Sequence, residues 1–163
     1  MAPGSSAPSG ILRFSHVGLC VSDLDRAARF YGEVLGFRRL SQIEIGGQSV
    51  ARLLGLEDVL LRAVYLERDG FRLELLHYAL PGHAEEVTPR PMNRIGLTHL
   101  SLRVRALDAL LEVLRKAGVE VLESRHLSMP GIDAGAVFIV DPDGTLIELV
   151  ESPGDPELVP GQR

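Results

Sequence analysis

The stretch "HVGLCVSDLDRAARFYGEVLGF", residues 16–37, returns in altered form as "HLSLRVRALDALLEVLRKAGV", residues 99–119. Each copy opens on a histidine at the head of an apolar alternation. In "RFSHVGLCV" one face carries Phe14, His16, Gly18 and Cys20, and the other carries Ser15, Val17, Leu19 and Val21. Period two is the signature of a strand. The pattern then changes to a helical one. Ser22 or Asp23 serves as cap, Leu24, Ala27, Ala28, Tyr31 and Leu35 form one stripe, and Gly36 ends it. The second copy places His99, Ser101 and Arg103 on one strand face, and its helix closes at Gly118.

The repetition continues downstream. "VYLERDGFRLELLHY", residues 64–78, matches "VFIVDPDGTLIELVES", residues 137–152. Each reads as strand, tight turn and strand, with Asp69-Gly70 answering Asp143-Gly144 and Glu74 answering Glu148. The offset is 83 between the histidines and 74 between the glutamates. An insertion around "GGQSVARLLGLEDV" in the first copy accounts for most of the difference. Each half therefore predicts βαβββ. A half-sheet with one helix buries its apolar faces poorly alone, so the halves should pair. The expected fold is α+β: two tandem βαβββ modules forming an eight-stranded, curved mixed sheet, an open cup with helices outside. The expected division is a disordered arm over 1–10, a first module over 11–80, a linker over 81–94, a second module over 95–151 and a tail over 152–163.

Strand alternation turns His16 and His99 toward the cup, and sets Glu74 on a face with Arg72, Leu76 and Tyr78. A carboxylate buried in an apolar strand without a partner costs several kcal/mol. Two of them, at equivalent repeat positions and matched by two equivalent histidines, call for one explanation. A divalent metal supplies it, since imidazole nitrogen and carboxylate oxygen suit Zn²⁺, Ni²⁺, Co²⁺, Fe²⁺ or Mn²⁺. Four protein ligands on a six-coordinate ion leave two positions for water or substrate.

The totals narrow the classes. Of 163 residues, 45% are hydrophobic and 24% charged, an ordinary globular composition. A net charge of −5 without a Lys/Arg stripe argues against nucleic acid. The one cysteine, Cys20, forms no intrachain disulfide and fits a reducing, cytoplasmic setting. "MAPGSSAPSG" lacks the features of a signal peptide, and no apolar run is long enough to span a bilayer.

The motifs "HVGLCVSDLDRAARFYGEVLGF", "GLTHLSLRV" and "DPDGTLIELVE" resemble the vicinal oxygen chelate superfamily over residues 11 to 151. That superfamily includes glyoxalase I, methylmalonyl-CoA epimerase, fosfomycin-resistance proteins, extradiol dioxygenases and metal-free bleomycin-binding proteins. The resemblance implies metal ligands at His16, Glu74, His99 and Glu148. It also implies bidentate capture of a small substrate with adjacent oxygens. Glu74 or Glu148 would leave the metal and act as the base, in an isomerase or lyase that moves a proton next to a carbonyl through an enolate or enediolate. Two alternatives stay open: a ring-cleaving iron dioxygenase, and a resistance or small-molecule-binding protein. A homodimer is expected by the same analogy.

Other residues carry weaker expectations. On the strand before Glu74, Arg62 or Val64 is expected to face the cup. Arg39, Arg52, Arg62 and Arg94 are candidates for a substrate carboxylate, each also readable as surface arginine. The "SVARLLGLEDV" insertion reads as a short helix over the cup mouth, and "SMPGIDAGAV" as a rim loop. His77 is expected to face away from Glu74. His83 and His126 are expected in solvent or hydrogen-bonded roles, and Cys20 is expected as a buried, inert thiol.

Overall fold

The computed structural model describes residues 10–84, 91–129 and 131–158. Most of the expected arm, the centre of the linker and the end of the tail lie outside these residues. The first half runs β1 (Val17–Cys20), α1 (Leu24–Arg29), a π-helical turn (Phe30–Val34), β2 (Arg38–Gly46), α2 (Gln48–Leu54), β3 (Leu60–Arg68) and β4 (Phe71–Leu80). The second runs β5 (Leu100–Val104), α3 (Leu107–Lys116), β6 (Glu120–Val121), a 3-10 turn (Glu123–Arg125), β7 (Leu127–Met129), β8 (Ala134–Val140) and β9 (Leu146–Glu151).

The two βαβββ modules are present, and they form two sheets rather than one continuous eight-stranded sheet. The first has the order β1-β4-β3-β2. The second has the order β5-β9-β8-β6, with β7 also pairing β8. In both, the strand that follows the histidine lies parallel to the glutamate-bearing strand, β1 on β4 and β5 on β9. The second half carries one strand more because the strand expected there is split into β6 and β7 by the 3-10 turn. β1 and β5 each end a sheet, and no ladder joins them.

The local chemistry explains the elements. Asp23, not Ser22, caps α1, its Oδ1 accepting from Arg26 N at 2.9 Å. Leu35 N donates to Phe30 O at 3.2 Å, the wider hydrogen-bond spacing of a π turn. Phe30, Tyr31 and Leu35 of this turn are all buried. α3 is capped from the sheet, since Glu151 accepts from Ala106 N at 2.5 Å and Leu107 N at 3.2 Å. Asp69 and Gly70 both have positive φ, 52° and 78°, as a two-residue hairpin turn requires.

One core serves both halves. Leu73 and Leu75 of β4, Val64 and Leu66 of β3, Val137 and Ile139 of β8, and Ile147 and Leu149 of β9 pack in a single cluster with α1 and α3. Leu24, Ala27, Tyr31, Leu107, Leu111 and Leu114 are the helical contribution. Each core-facing strand residue alternates with one on the opposite face, and that opposite face carries the histidines and glutamates. A polar seam fastens the halves together. The Tyr31 hydroxyl donates to Asp141 Oδ2 at 2.9 Å. Asp143 accepts from Ser22 N at 3.2 Å and from Arg26 Nη2 at 2.8 Å, and also pairs with the Ser22 hydroxyl.

Candidate metal centre

Strand register builds two similar clusters. In the first sheet, Glu74 lies beside Gly18 on β1 and opposite Tyr65 on β3. His16, just ahead of β1, sets Nε2 3.0 Å from Glu74 Oε2. Its Nδ1 lies 3.0 Å from the Ser15 hydroxyl, and its ring meets Tyr65 edge-on at 5.5 Å. In the second sheet, Glu148 lies beside Ser101 on β5 and opposite Phe138 on β8. His99 Nε2 is 3.6 Å from Glu148 Oε2, its Nδ1 is 2.8 Å from the Thr98 hydroxyl, and its ring meets Phe138 edge-on at 5.5 Å.

The structure thus brings His16 to Glu74 and His99 to Glu148. Among the described residues, no group of three or more His, Cys, Asp or Glu side chains stands close enough to hold an ion. The four candidates occupy two half-sites rather than one finished centre. A cleft of about 2060 Å³ runs between β1 and β5, with Gly18 and Cys20 on one side and His99 and Ser101 on the other; His99 is the one candidate ligand that lines it, while β4 and β9 border it through the core-side Leu73, Ile147 and Leu149.

The donor chemistry fits a divalent cation. Each imidazole has its Nδ1 engaged by a neighbouring hydroxyl and turns Nε2 toward a carboxylate oxygen, so a nitrogen and an oxygen donor converge in each half. Neither carboxylate is sealed in, with side-chain exposures of 12% for Glu74 and 25% for Glu148.

Hydroxyls flank both carboxylates. Ser101 Oγ donates to Glu148 Oε2 at 2.8 Å, and Tyr65 carries its hydroxyl on the strand position opposite Glu74. Hydrogen bonding to the Glu74 carboxylate, then burial, pushes the Tyr65 phenol up to about 12. Tyr78, on the same face, is raised by burial and by the nearby Cys20 and Glu74 charges.

The insertion forms α2 and covers part of the Glu74 face. Ala51 and Val59 pack with Leu61, and Val50, Leu76 and Tyr78 lie against them. Leu61, Leu76 and Tyr78 share a face with Glu74 by register, so α2 gives the first half-site an apolar wall. Among the described residues, the second half has only the 3-10 turn Glu123–Arg125 between β6 and β7.

Several weaker expectations are corrected. Arg62 pairs with His77 and Val64 with Leu75, so both occupy the core side, and Tyr65 is the β3 residue opposite Glu74. Tyr65 was detectable from the sequence. A two-residue turn at Asp69-Gly70 sets Arg68 against Phe71, and counting back sets Tyr65 against Glu74. Cys20 is exposed rather than buried, and desolvation followed by the Asp143 charge raises its thiol. His77 does face away from Glu74, its Nδ1 3.3 Å from Val21 O. Arg39 lies on the exposed β2 and hydrogen-bonds Gln42.

Among the described residues, no helix is long and apolar enough to cross a membrane. Residues 13–149 match the family described as Glyoxalase/Bleomycin resistance protein/Dioxygenase superfamily. A 2-epi-5-epi-valiolone epimerase from Actinomyces sp is 31% identical over 151 residues, covering 88% of this chain and 81% of that protein. The glyoxalase family protein APC24694 from Bacillus cereus shares the fold with a TM-score of 0.78 and 23% identity, over 92% of this chain and 100% of that one. A fosfomycin resistance protein, FosX, from Listeria monocytogenes, in a complex with Mn(II), has a TM-score of 0.58 and 18% identity, over 90% and 96% of the two chains.

Proposed function

The chain belongs to the Glyoxalase/Bleomycin resistance protein/Dioxygenase superfamily, and from that premise we propose that it is a metal-dependent isomerase. In this reading it inverts a carbon next to a carbonyl in a small molecule with adjacent oxygens. The observation that carries the reading is the duplicated pair, a histidine Nε2 turned to a glutamate Oε2 at the same register in both sheets. The 31% identical relative, named a 2-epi-5-epi-valiolone epimerase, supports epimerisation over the other reactions of the superfamily.

His16, Glu74, His99 and Glu148 would hold one divalent ion, Zn²⁺, Ni²⁺, Co²⁺, Mn²⁺ or Fe²⁺, at the cleft between β1 and β5. When bound, the ion supplies Lewis-acid stabilisation of charge on a substrate oxygen. The chain's residues do the rest. One glutamate takes the proton from the carbon beside the carbonyl. The electron pair of the broken C–H bond delocalises onto the carbonyl oxygen. The other glutamate returns a proton to the opposite face, and no net oxidation occurs. Two carboxylates, one from each sheet, suit inversion because one base per face is needed. The α2 wall excludes water on the Glu74 side and admits an apolar edge of the substrate. A second copy of the chain is the proposed partner, and a soluble, cytoplasmic setting is the proposed location.

The reading is tested by metal analysis of the purified protein, followed by proton–deuterium exchange into hydroxylated cyclic ketones. Metal-dependent exchange at the carbon beside the carbonyl is expected. Oxygen uptake with catechols in its place would assign the chain to ring cleavage.

A further inference from the structure

Gly18 and Ser101 occupy the same repeat position, as do Tyr65 and Phe138. Ser101 lies beside Glu148 on the adjacent strand and gives it a hydroxyl at 2.8 Å. Gly18 lies beside Glu74 and has no side chain to give. On the other flank the identities reverse. Phe138 stands opposite Glu148 without a hydroxyl, while Tyr65 brings one to the strand position opposite Glu74, its ring edge-on to His16 at 5.5 Å. Each half therefore has one hydroxyl for its carboxylate, delivered from opposite neighbours. Packing follows the exchange. A Cβ at Gly18 would lie 3.1 Å from Leu76 Cδ1 and 3.9 Å from Glu74 Oε2, so Leu76 takes the space that a serine would need. The residue equivalent to Leu76 in the second half is the smaller Val150, on the strand next to the one that carries Ser101.

From this exchange we infer that Tyr65 and Ser101 are equivalent positioning residues, each aiming one glutamate at the ion. Gly18/Leu76/Tyr65 and Ser101/Val150/Phe138 are two interchangeable solutions to one requirement. The inference rests on the proposed metal site. It adds that Glu74 is steered from β3 and Glu148 from β5, so the flank of Glu74 over β1 is apolar and that of Glu148 is polar. Ser101 holds Oε2 of Glu148, the oxygen that also faces His99 Nε2, so the hydroxyl fixes the direction in which this carboxylate meets the cation.

The test is a swap, read as the affinity for Mn²⁺ and Zn²⁺ added alone, with thermal melting as the fold control. Tyr65→Phe is expected to weaken metal binding about 10- to 100-fold, the usual effect of losing a hydrogen-bond partner of a ligand. Adding Gly18→Ser and Leu76→Val to Tyr65→Phe rebuilds the second half's arrangement in the first and is expected to bring affinity back toward wild type. The mirror swap, Ser101→Gly rescued by Phe138→Tyr, gives the same answer from the other sheet should the triple variant fold poorly. Well-folded Tyr65→Phe protein that binds as tightly as wild type, or swaps that both fail to rescue, would overturn the inference while the metal site stands. Wild-type protein that binds neither ion overturns the metal site itself, and the inference with it, before any substitution is made.

Discussion

The Tyr31 hydroxyl donates to the Asp141 carboxylate at 2.9 Å, and both residues are buried. This bond ties the first half's helix to the second half's hairpin, across 110 residues of sequence. Asp141 has its other oxygen engaged by the backbone N–H groups of Asp143 and Thr145, at 2.9 and 2.7 Å. The same turn thereby presents Asp143 to Ser22 and Arg26. With the shared core, this seam joins the two halves.

Tyr31→Phe removes the donor and leaves one oxygen of a buried carboxylate unpaired, which should lower stability by about 1–3 kcal/mol. Asp141→Ala also strips the two turn amides of their acceptor and should cost more. Urea unfolding followed by circular dichroism measures both. Equal stability of wild type and Tyr31→Phe would show that the seam carries no weight.

The tyrosines set the behaviour in alkali. Burial, then the Asp141 charge and hydrogen bond, raise Tyr31 far above its ordinary value of 10, hydrogen bonding to Glu74 raises Tyr65 to about 12, and burial raises Tyr78. An acid whose folded value is raised favours the neutral form in the native state. Its contribution is intact below about pH 10, the unfolded value, and is lost as pH climbs through the folded values. Native protein should show little phenolate absorbance at pH 10, where the urea-unfolded chain is half ionised. All three tyrosines titrating near 10 in native protein would contradict the packing described.

Acid acts through different groups. The backbone N–H of Arg26 lowers Asp23, and the backbone N–H of Gly70, with Arg38, lowers Glu67. Folded values below the unfolded ones mean stabilisation that is present above about pH 4 and disappears as pH falls through the folded values. Asp23→Asn and Glu67→Gln should each flatten the acid limb of a stability–pH profile. Unchanged acid limbs would remove these two groups from the explanation.

Cys20 is exposed beside the cleft, yet desolvation and Asp143 hold its thiol protonated. The thiolate is the reactive form. Alkylation at pH 8 should therefore be slower in native than in unfolded protein, and Cys20→Ser should keep its metal affinity. Faster native labelling would mark a thiol activated for chemistry.

The repeat, the strand faces and the helical insertion were legible because each follows from local periodicity and turn chemistry. His16, Glu74, His99 and Glu148 stood out because alternation sets polar groups on a face whose neighbours are apolar. The separation into two sheets was not legible, since whether the edges of β1 and β5 pair depends on contacts distant in sequence. The π turn at Phe30–Val34 was hidden for a related reason. Its residues Phe30 and Tyr31 pack in a core built partly by the other half. Cys20 was misjudged because the face it shares with Gly18 opens on a cleft instead of a packed layer.

The claim beneath all of this is that two half-sites serve one ion. Titrating a divalent metal into the wild-type chain and into His16→Ala and His99→Ala measures it by stoichiometry. One ion per chain is expected in the wild type, with either substitution abolishing that same binding event. Two ions per chain, each lost separately when its own histidine is removed, would show that the pairs act independently and would contradict the account.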